Sequence, residues 1–184
     1  MARTPSTMVA LSTKAPDFVL PDTVSGKHLS LENIKGEVAT MIMFICNHCP
    51  FVKHVNSELV RLANDYKNKG IGFVAISSND VINHPDDAPG LMTQVAKQLK
   101  YPFPYLYDES QETAKAYDAA CTPDFFIYDK DLHLVYRGQL DDSRPGNEIP
   151  VTGEDIRQAL DCLINNEPLP QEQRPSMGCN IKWK

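Results

Sequence analysis

Basic clusters, long apolar runs and a second closely spaced cysteine pair are all missing from these 184 residues. Each absence removes a class of function. Lys and Arg number 18 against 24 Asp and Glu, for a net charge of −6 and a pI near 5.3. Such a chain is a poor partner for nucleic acid or an anionic membrane surface. No apolar stretch approaches the roughly 20 residues that a membrane-spanning helix needs. From Met1 to Leu11 the apolar residues are too broken up by Thr, Ser and Pro to form a signal-peptide core, which leads us to expect a cytoplasmic protein. The five cysteines, Cys46, Cys49, Cys121, Cys162 and Cys179, are odd in number and the chain is not small. A secreted disulfide scaffold is therefore not expected.

What is present is one folding unit with ordinary composition, 42% hydrophobic and 23% charged. We read it as a single domain, 1–184, with an N-terminal extension at 1–15 and an irregular, proline-containing tail at 168–184. Phe18–Leu20 and Lys27–Leu31 flank a turn ending in Gly26 and suggest a hairpin. Val38–Ile45 and Ile71–Ile76 are apolar enough to be strands buried on both faces. Between them Phe51, Val55, Leu59, Leu62, Ala63 and Tyr66 form a helical stripe. Pro89 opens a helix with Met92, Val95, Ala96 and Leu99 inward, and Ser110 caps one that runs to about Ala119. Tyr105–Tyr107 is a short strand, and Asp124–Tyr128 and Leu134–Tyr136 form a hairpin. Thr152 to Asp155 reads as a capping box for a last helix through Ile156, Leu160 and Ile164. Strands alternating with helices imply an α/β fold, a mostly parallel central sheet made mixed by the closing hairpin.

The chemistry concentrates at Cys46-Asn47-His48-Cys49-Pro50, where a buried strand hands over to a helix. Unpaired N–H groups and the helix dipole stabilise a thiolate there. Cys46, read as standing at the helix mouth, is expected to carry the lowered pKa. A cationic His48 would lower it further and make the dithiol a stronger oxidant, and Pro50 suits the first turn. The alternatives are half a structural zinc site, which lacks a second pair, or two inert buried thiols. The c-type haem motif fails because Pro50 stands where it needs His.

Residues 16 to about 165 resemble the redoxin branch of the thioredoxin-like fold, which includes alkyl hydroperoxide reductase/thiol-specific antioxidant proteins and TlpA-like reductases. Pro16-Asp-Phe-Val-Leu-Pro-Asp22 and Gly26-Lys-His-Leu-Ser-Leu31 are similar to its N-terminal hairpin. Cys46-Asn-His-Cys49 matches its dithiol, and Cys121-Thr-Pro-Asp-Phe-Phe-Ile127 its cis-proline loop. Within that branch the chain is similar to a group sharing C-x-H-C-P-F, T-P-D-F, G-Q-[IL]-D-D-S-R-P and S-M-G-C-[NS]-I-K-W. The resemblance implies a thioredoxin-like (glutaredoxin-type) sandwich with a hairpin extension.

It also implies a thiol–disulfide oxidoreductase with Cys46 as nucleophile and Cys49 as resolving thiol. Pro123 is then cis, and Thr122, Asn47 and Pro50 contact substrate. The resemblance implies no cofactor and no metal, protein or small-molecule disulfides and a reductase as partners, and a monomer or weak dimer. The peroxiredoxin P-x-x-x-T-x-x-C pattern is missing upstream of Cys46, where Ile42-Met-Phe-Ile45 stands, which weakens a peroxidase reading. A non-enzymatic redox-sensing or metal-carrying module is the third possibility. Thr40 occupies the place of the buried acid of thioredoxins, leaving Asp124 or Asp141 as candidate proton acceptors. Asp141 to Arg144 is placed at the rim of the site. Cys121 and Cys179 are possible additional redox thiols, with Trp183 as the tail's anchor; His54 and Cys162 read as a solvated and a packing residue.

Overall fold

The computed structural model describes residues 3–184; residues 1 and 2 of the expected extension lie outside it. A five-stranded sheet forms the centre, in the order β6-β5-β4-β8-β9. These strands are β4 (Ala39–Phe44), β5 (Ile71–Ser77), β6 (Tyr105–Tyr107), β8 (Asp124–Asp129) and β9 (Leu134–Gly138). The first three are parallel, and β8 and β9 close the sheet antiparallel. All six residues of β4 are buried. Its alternate side chains enter opposite cores, Met41 and Met43 on one face and Ile42 and Phe44 on the other. That two-sided burial is why the strand reads as a continuous apolar run.

One core packs the sheet against α2 (Pro50–Tyr66), α3 (Pro89–Leu99) and α5 (Glu154–Asn165), through Leu59, Leu62, Met92, Ile156 and Leu160. The other lies under the hairpin β2 (Val19–Pro21) and β3 (His28–Ser30), the short α1 (Leu31–Ile34) and α4 (Glu112–Ala116). Among the described residues, no helix is long and apolar enough to cross a membrane.

Three expectations are corrected. Thr152 does not cap α5; Gly153 does, at φ 69°, with no side-chain cap bond. The Thr152 and Gly153 N–H groups instead donate to Asp141 Oδ2 at 2.7 Å each, so a carboxylate from a separate loop holds the backbone just ahead of the helix. Likewise the cap of α4 is Gln111 at φ 66°, while Ser110 Oγ accepts the Glu112 N–H. The tail, irregular over most of its length as expected, carries one strand that was not expected. Met177–Asn180 is a strand, β10, between β1 (Arg3–Pro5) and β7 (Cys121–Thr122), antiparallel to both. Its residues lack a strand's apolar alternation because it is held by backbone pairing and by closeness rather than by an apolar face.

Gly178 is what permits the approach. A Cβ there would stand 2.1 Å from the Thr122 carbonyl oxygen, a backbone atom that cannot swing away. Gly178→Ala is expected to destabilise the protein by about 1–3 kcal/mol, as overpacking does. Thermal unfolding unchanged by the substitution would show that β10 can shift freely.

Candidate active site

β4 delivers the chain to Ile45, whose N–H donates to the Ile76 carbonyl at 2.9 Å, and the backbone then leaves the sheet. Cys46 follows, 2% exposed. Its Sγ lies 3.3 Å from Thr122 Oγ1. Cys49 is the N-cap residue of α2, at φ −66° and ψ 125°, with Pro50 at the first helical position. The Cys49 Sγ lies 3.2 Å from the Thr122 carbonyl oxygen and 2.7 Å from Cys179 Sγ. The Thr122–Pro123 peptide is cis. Both thiols of the pair thus face the loop that carries Thr122 and Pro123.

The electrostatics reverse the sequence expectation. The helix begins after Cys49, so Cys49 rather than Cys46 receives the benefit of its N-terminus. Hydrogen bonding from the Cys46 thiol, opposed by burial and aided by Cys179 and the Val52 backbone, pulls the Cys49 thiol down to about 5. Cys46 moves well above the ordinary thiol range, because its proton is shared with Cys49, because it is buried, and because the Asp87 carboxylate stands near. These influences place the lowered pKa of the pair on Cys49. Titrated by thiolate ultraviolet absorbance, the reduced protein is expected to show one equivalent with a midpoint of about 5, absent in Cys49→Ser. No thiolate before the ordinary range near about 8.5 would contradict it.

Asp87 was not singled out by sequence, and nothing in Pro85-Asp86-Asp87 signals it. It is wholly buried at the end of a 3₁₀ turn. Its Oδ1 accepts the backbone N–H of Asn47 at 2.7 Å and of His48 at 3.3 Å; its Oδ2 lies 2.6 Å from His48 Nδ1 and 2.8 Å from Asn79 Nδ2. One carboxylate therefore fixes the segment between the cysteines. His48 also stacks on His84, with ring centroids 5.6 Å apart. Any charge on His48 faces this carboxylate, which offsets its effect at Cys46. Cys46, His48 and Asp87 offer ligand atoms within 4.8 Å of one another. Here Thr122 engages Cys46 Sγ and Asp87 engages His48 Nδ1.

The other expected residues fall out unevenly. Asn47 turns inward, donating to the Asp86 carbonyl and accepting from the Tyr105 hydroxyl, so its amide is not offered to a substrate. Pro50 is exposed, but Thr122 is buried and its strand is paired with β10. Neither candidate proton acceptor is available. Asp124 is paired with the buried Arg137, and Asp141 accepts the N–H groups of Ser143, Thr152 and Gly153. Thr40 Oγ1 accepts the Gly36 N–H. The Asp141–Arg144 loop does reach the rim, since Ser143 and Arg144 line one cleft with Phe51, His54 and Pro123. His54 is half-buried with Nε2 2.7 Å from Ser143 Oγ, not simply solvated. Cys162 is only half-buried. Trp183 is 43% exposed, so Ile181, at 1%, is the tail's apolar anchor instead.

Comparison with known proteins places this geometry. Residues 11–137 match the AhpC/TSA family. The chain belongs to that family. An uncharacterised conserved protein from Geobacillus kaustophilus is 62% identical, with 100% of this chain and 97% of that one covered at a TM-score of 0.99. A hypothetical protein from Sinorhizobium meliloti is 46% identical over 98% of each chain, at a TM-score of 0.96. More distantly, a putative thiol:disulfide interchange protein DsbE from Chlorobium tepidum shares the fold at 20% identity and a TM-score of 0.68, covering 85% of this chain and 99% of that one. The curated proteins contain no match. The fold of this AhpC/TSA member is the thioredoxin-like mixed α/β sandwich that the sequence resemblance implied.

Proposed function

We propose that this AhpC/TSA member is a thiol–disulfide oxidoreductase whose Cys46–Cys49 pair exchanges with protein or small-molecule disulfides. The observation that carries the reading is the placement of both sulfurs against Thr122, one on its hydroxyl and one on its carbonyl, at the N-terminus of α2. Cys46 is the entering nucleophile, because Cys49 is wholly buried and Cys46 adjoins the half-exposed Asn47 and His48. Its high pKa is no obstacle, since the Cys49 thiolate is the base. As the Cys46 proton passes to Cys49, Cys46 Sγ bonds to one sulfur of the substrate disulfide. The other substrate sulfur leaves as a thiolate. Cys49 then returns its proton to that leaving group and attacks Cys46 Sγ, forming the Cys46–Cys49 disulfide and releasing the second substrate sulfur as a thiolate. This takes the place of the acid that Thr40 does not supply.

No cofactor beyond the dithiol is required, and the electrons come from a separate reductase. We propose the cytoplasm as its site of action, since a reducing compartment would return the pair to its dithiol form. Reduction of insulin disulfides by the full chain with dithiothreitol as electron donor tests the reading; a rate equal to dithiothreitol alone refutes it. A second reading, hydroperoxide reduction at Cys46 with Cys49 resolving the sulfenate, is favoured by membership of the AhpC/TSA family. Against it, the chain lacks the Pro and Thr of the peroxiredoxin pattern upstream of Cys46, where Ile42-Met-Phe-Ile45 stands.

A further inference from the structure

Beside the dithiol stands a third sulfur. Cys179 Sγ is 2.7 Å from Cys49 Sγ, and the two residues are 1% and 0% exposed. Closing 2.7 Å to the about 2.05 Å of a disulfide is a movement of about 0.7 Å, far less than a rotamer change. Cys49 is the middle member of the row, since it exchanges hydrogen bonds with Cys46 on one side and Cys179 on the other.

The strand that carries Cys179 is bolted in place. Cys179 pairs in register with Thr122, and Gly178 lets β10 lie against that residue's carbonyl. Ser176 Oγ donates to the Pro123 carbonyl at 2.8 Å, and the Ser6 and Ser176 N–H groups are exchanged with each other's residue. Beyond the strand, the Lys182 N–H donates to Asn79 Oδ1 at 2.8 Å, and the Lys182 carbonyl accepts from Asp80 N–H and Gln111 Nε2. A passenger thiol on a loose tail would need none of this. Cys121 is turned elsewhere, its Sγ donating to the Pro123 carbonyl at 3.5 Å.

Resting on the dithiol reading above, we propose that Cys179 is a third redox thiol that draws the disulfide from Cys46–Cys49 inward and stores it as Cys49–Cys179. The step is an intramolecular exchange. Cys179, giving up its proton, attacks Cys49 Sγ of the Cys46–Cys49 disulfide. The Cys49–Cys179 bond forms, the Cys46–Cys49 bond breaks, and Cys46 leaves as a thiolate that takes up the proton. No electrons enter or leave the protein. The product is still oxidised by two electrons, yet Cys46 is a thiol again.

The inner disulfide lies between two residues that solvent does not reach, so an external thiol cannot attack it directly. It is opened only by the return attack of Cys46. Cys179 therefore sets how long the oxidised protein holds its disulfide, and it shields Cys49 from further oxidation while Cys46, beside the half-exposed Asn47 and His48, is again a thiol for the next partner.

The full-length wild-type protein, oxidised with one equivalent of diamide, quenched in acid, alkylated and digested without reductant, gives the decisive map. Cys49–Cys179 linked peptides together with alkylated Cys46 are expected beside Cys46–Cys49 peptides. Their absence overturns the inference, and the measurement needs no variant. Equilibration with glutathione adds a second readout. If the inner pair is favoured tenfold, Cys179→Ala shifts the reduced-to-oxidised ratio by about tenfold relative to wild type, about 30 mV. Identical ratios in the two proteins count against storage. The dithiol reading fails separately, as absence of insulin reduction with the inner disulfide still mapped, whereas insulin reduction without an inner disulfide overturns only the role of Cys179.

Discussion

Replacement of Cys49 by Ser is expected to abolish turnover and leave Cys46 joined to its partners in stable mixed disulfides. Cys46 is held protonated chiefly by sharing its proton with the Cys49 thiolate. A serine hydroxyl at that position cannot take the proton in the same way, but it also removes the thiolate that raised the Cys46 pKa, so Cys46 can still ionise and attack. What it cannot do is be released, because the resolving sulfur is gone. The loss of turnover should be at least about a hundredfold, roughly 2.7 kcal/mol at 1.36 kcal/mol per decade. Cys46→Ser should lose activity to a similar extent and trap nothing, since Cys49 is wholly buried. Non-reducing electrophoresis of the two variants after incubation with cell extract checks this. Equal trapping by both would reverse the assignment of nucleophile and resolving thiol.

Loss of the Arg137 guanidinium should be the largest single effect on stability. Arg137 and Asp124 are both fully buried and paired through both carboxylate oxygens. Arg137 Nε also donates to the Thr7 carbonyl at 2.9 Å, and the guanidinium lies over the Phe126 ring, 3.7 Å from its centroid. Asp124 follows Pro123 directly and lies opposite Phe44 on β4. Removing one partner leaves an uncompensated buried charge beside the site, at a cost of about 3–5 kcal/mol. For a chain of this size that is a fall in melting temperature of roughly 6–20 °C. Asp124→Leu combined with Arg137→Met should recover much of the loss, because no lone charge remains. Thermal unfolding of Arg137→Met and of the double variant decides it. A loss below about 1 kcal/mol in the single variant would mean that water reaches Asp124, as at a surface pair.

Much of this was legible locally. β4 and β5 announce themselves as unbroken apolar runs because they are buried on both faces, and α2 shows its inner stripe at helical spacing. The hairpins are marked by their turns. The cysteines point to redox chemistry because two thiols three positions apart, between strand and helix, have few other uses. The caps of α4 and α5 differ from that reading because a Ser or Thr before a helix is a local signal, whereas the observed N-caps, Gln111 and Gly153, adopt positive φ, and Asp141 holds Thr152 and Gly153 from a separate loop.

By itself the sequence determined the fold class, the order of the five central strands and of the helices α2, α3 and α5, and the two sulfurs on which the chemistry centres, because periodicity and spacing are properties of neighbouring residues. Only the tertiary structure decided which of those sulfurs has the lowered pKa. That depends on where α2 begins, on the approach of Asp87 from 38 residues beyond Cys49, and on Cys179 brought against Cys49 by a strand 130 positions away. A thiol's ionisation is set by the charges and donors within a few ångströms of it. Here those groups come from segments that meet only when the sheet is formed and the tail is laid across it.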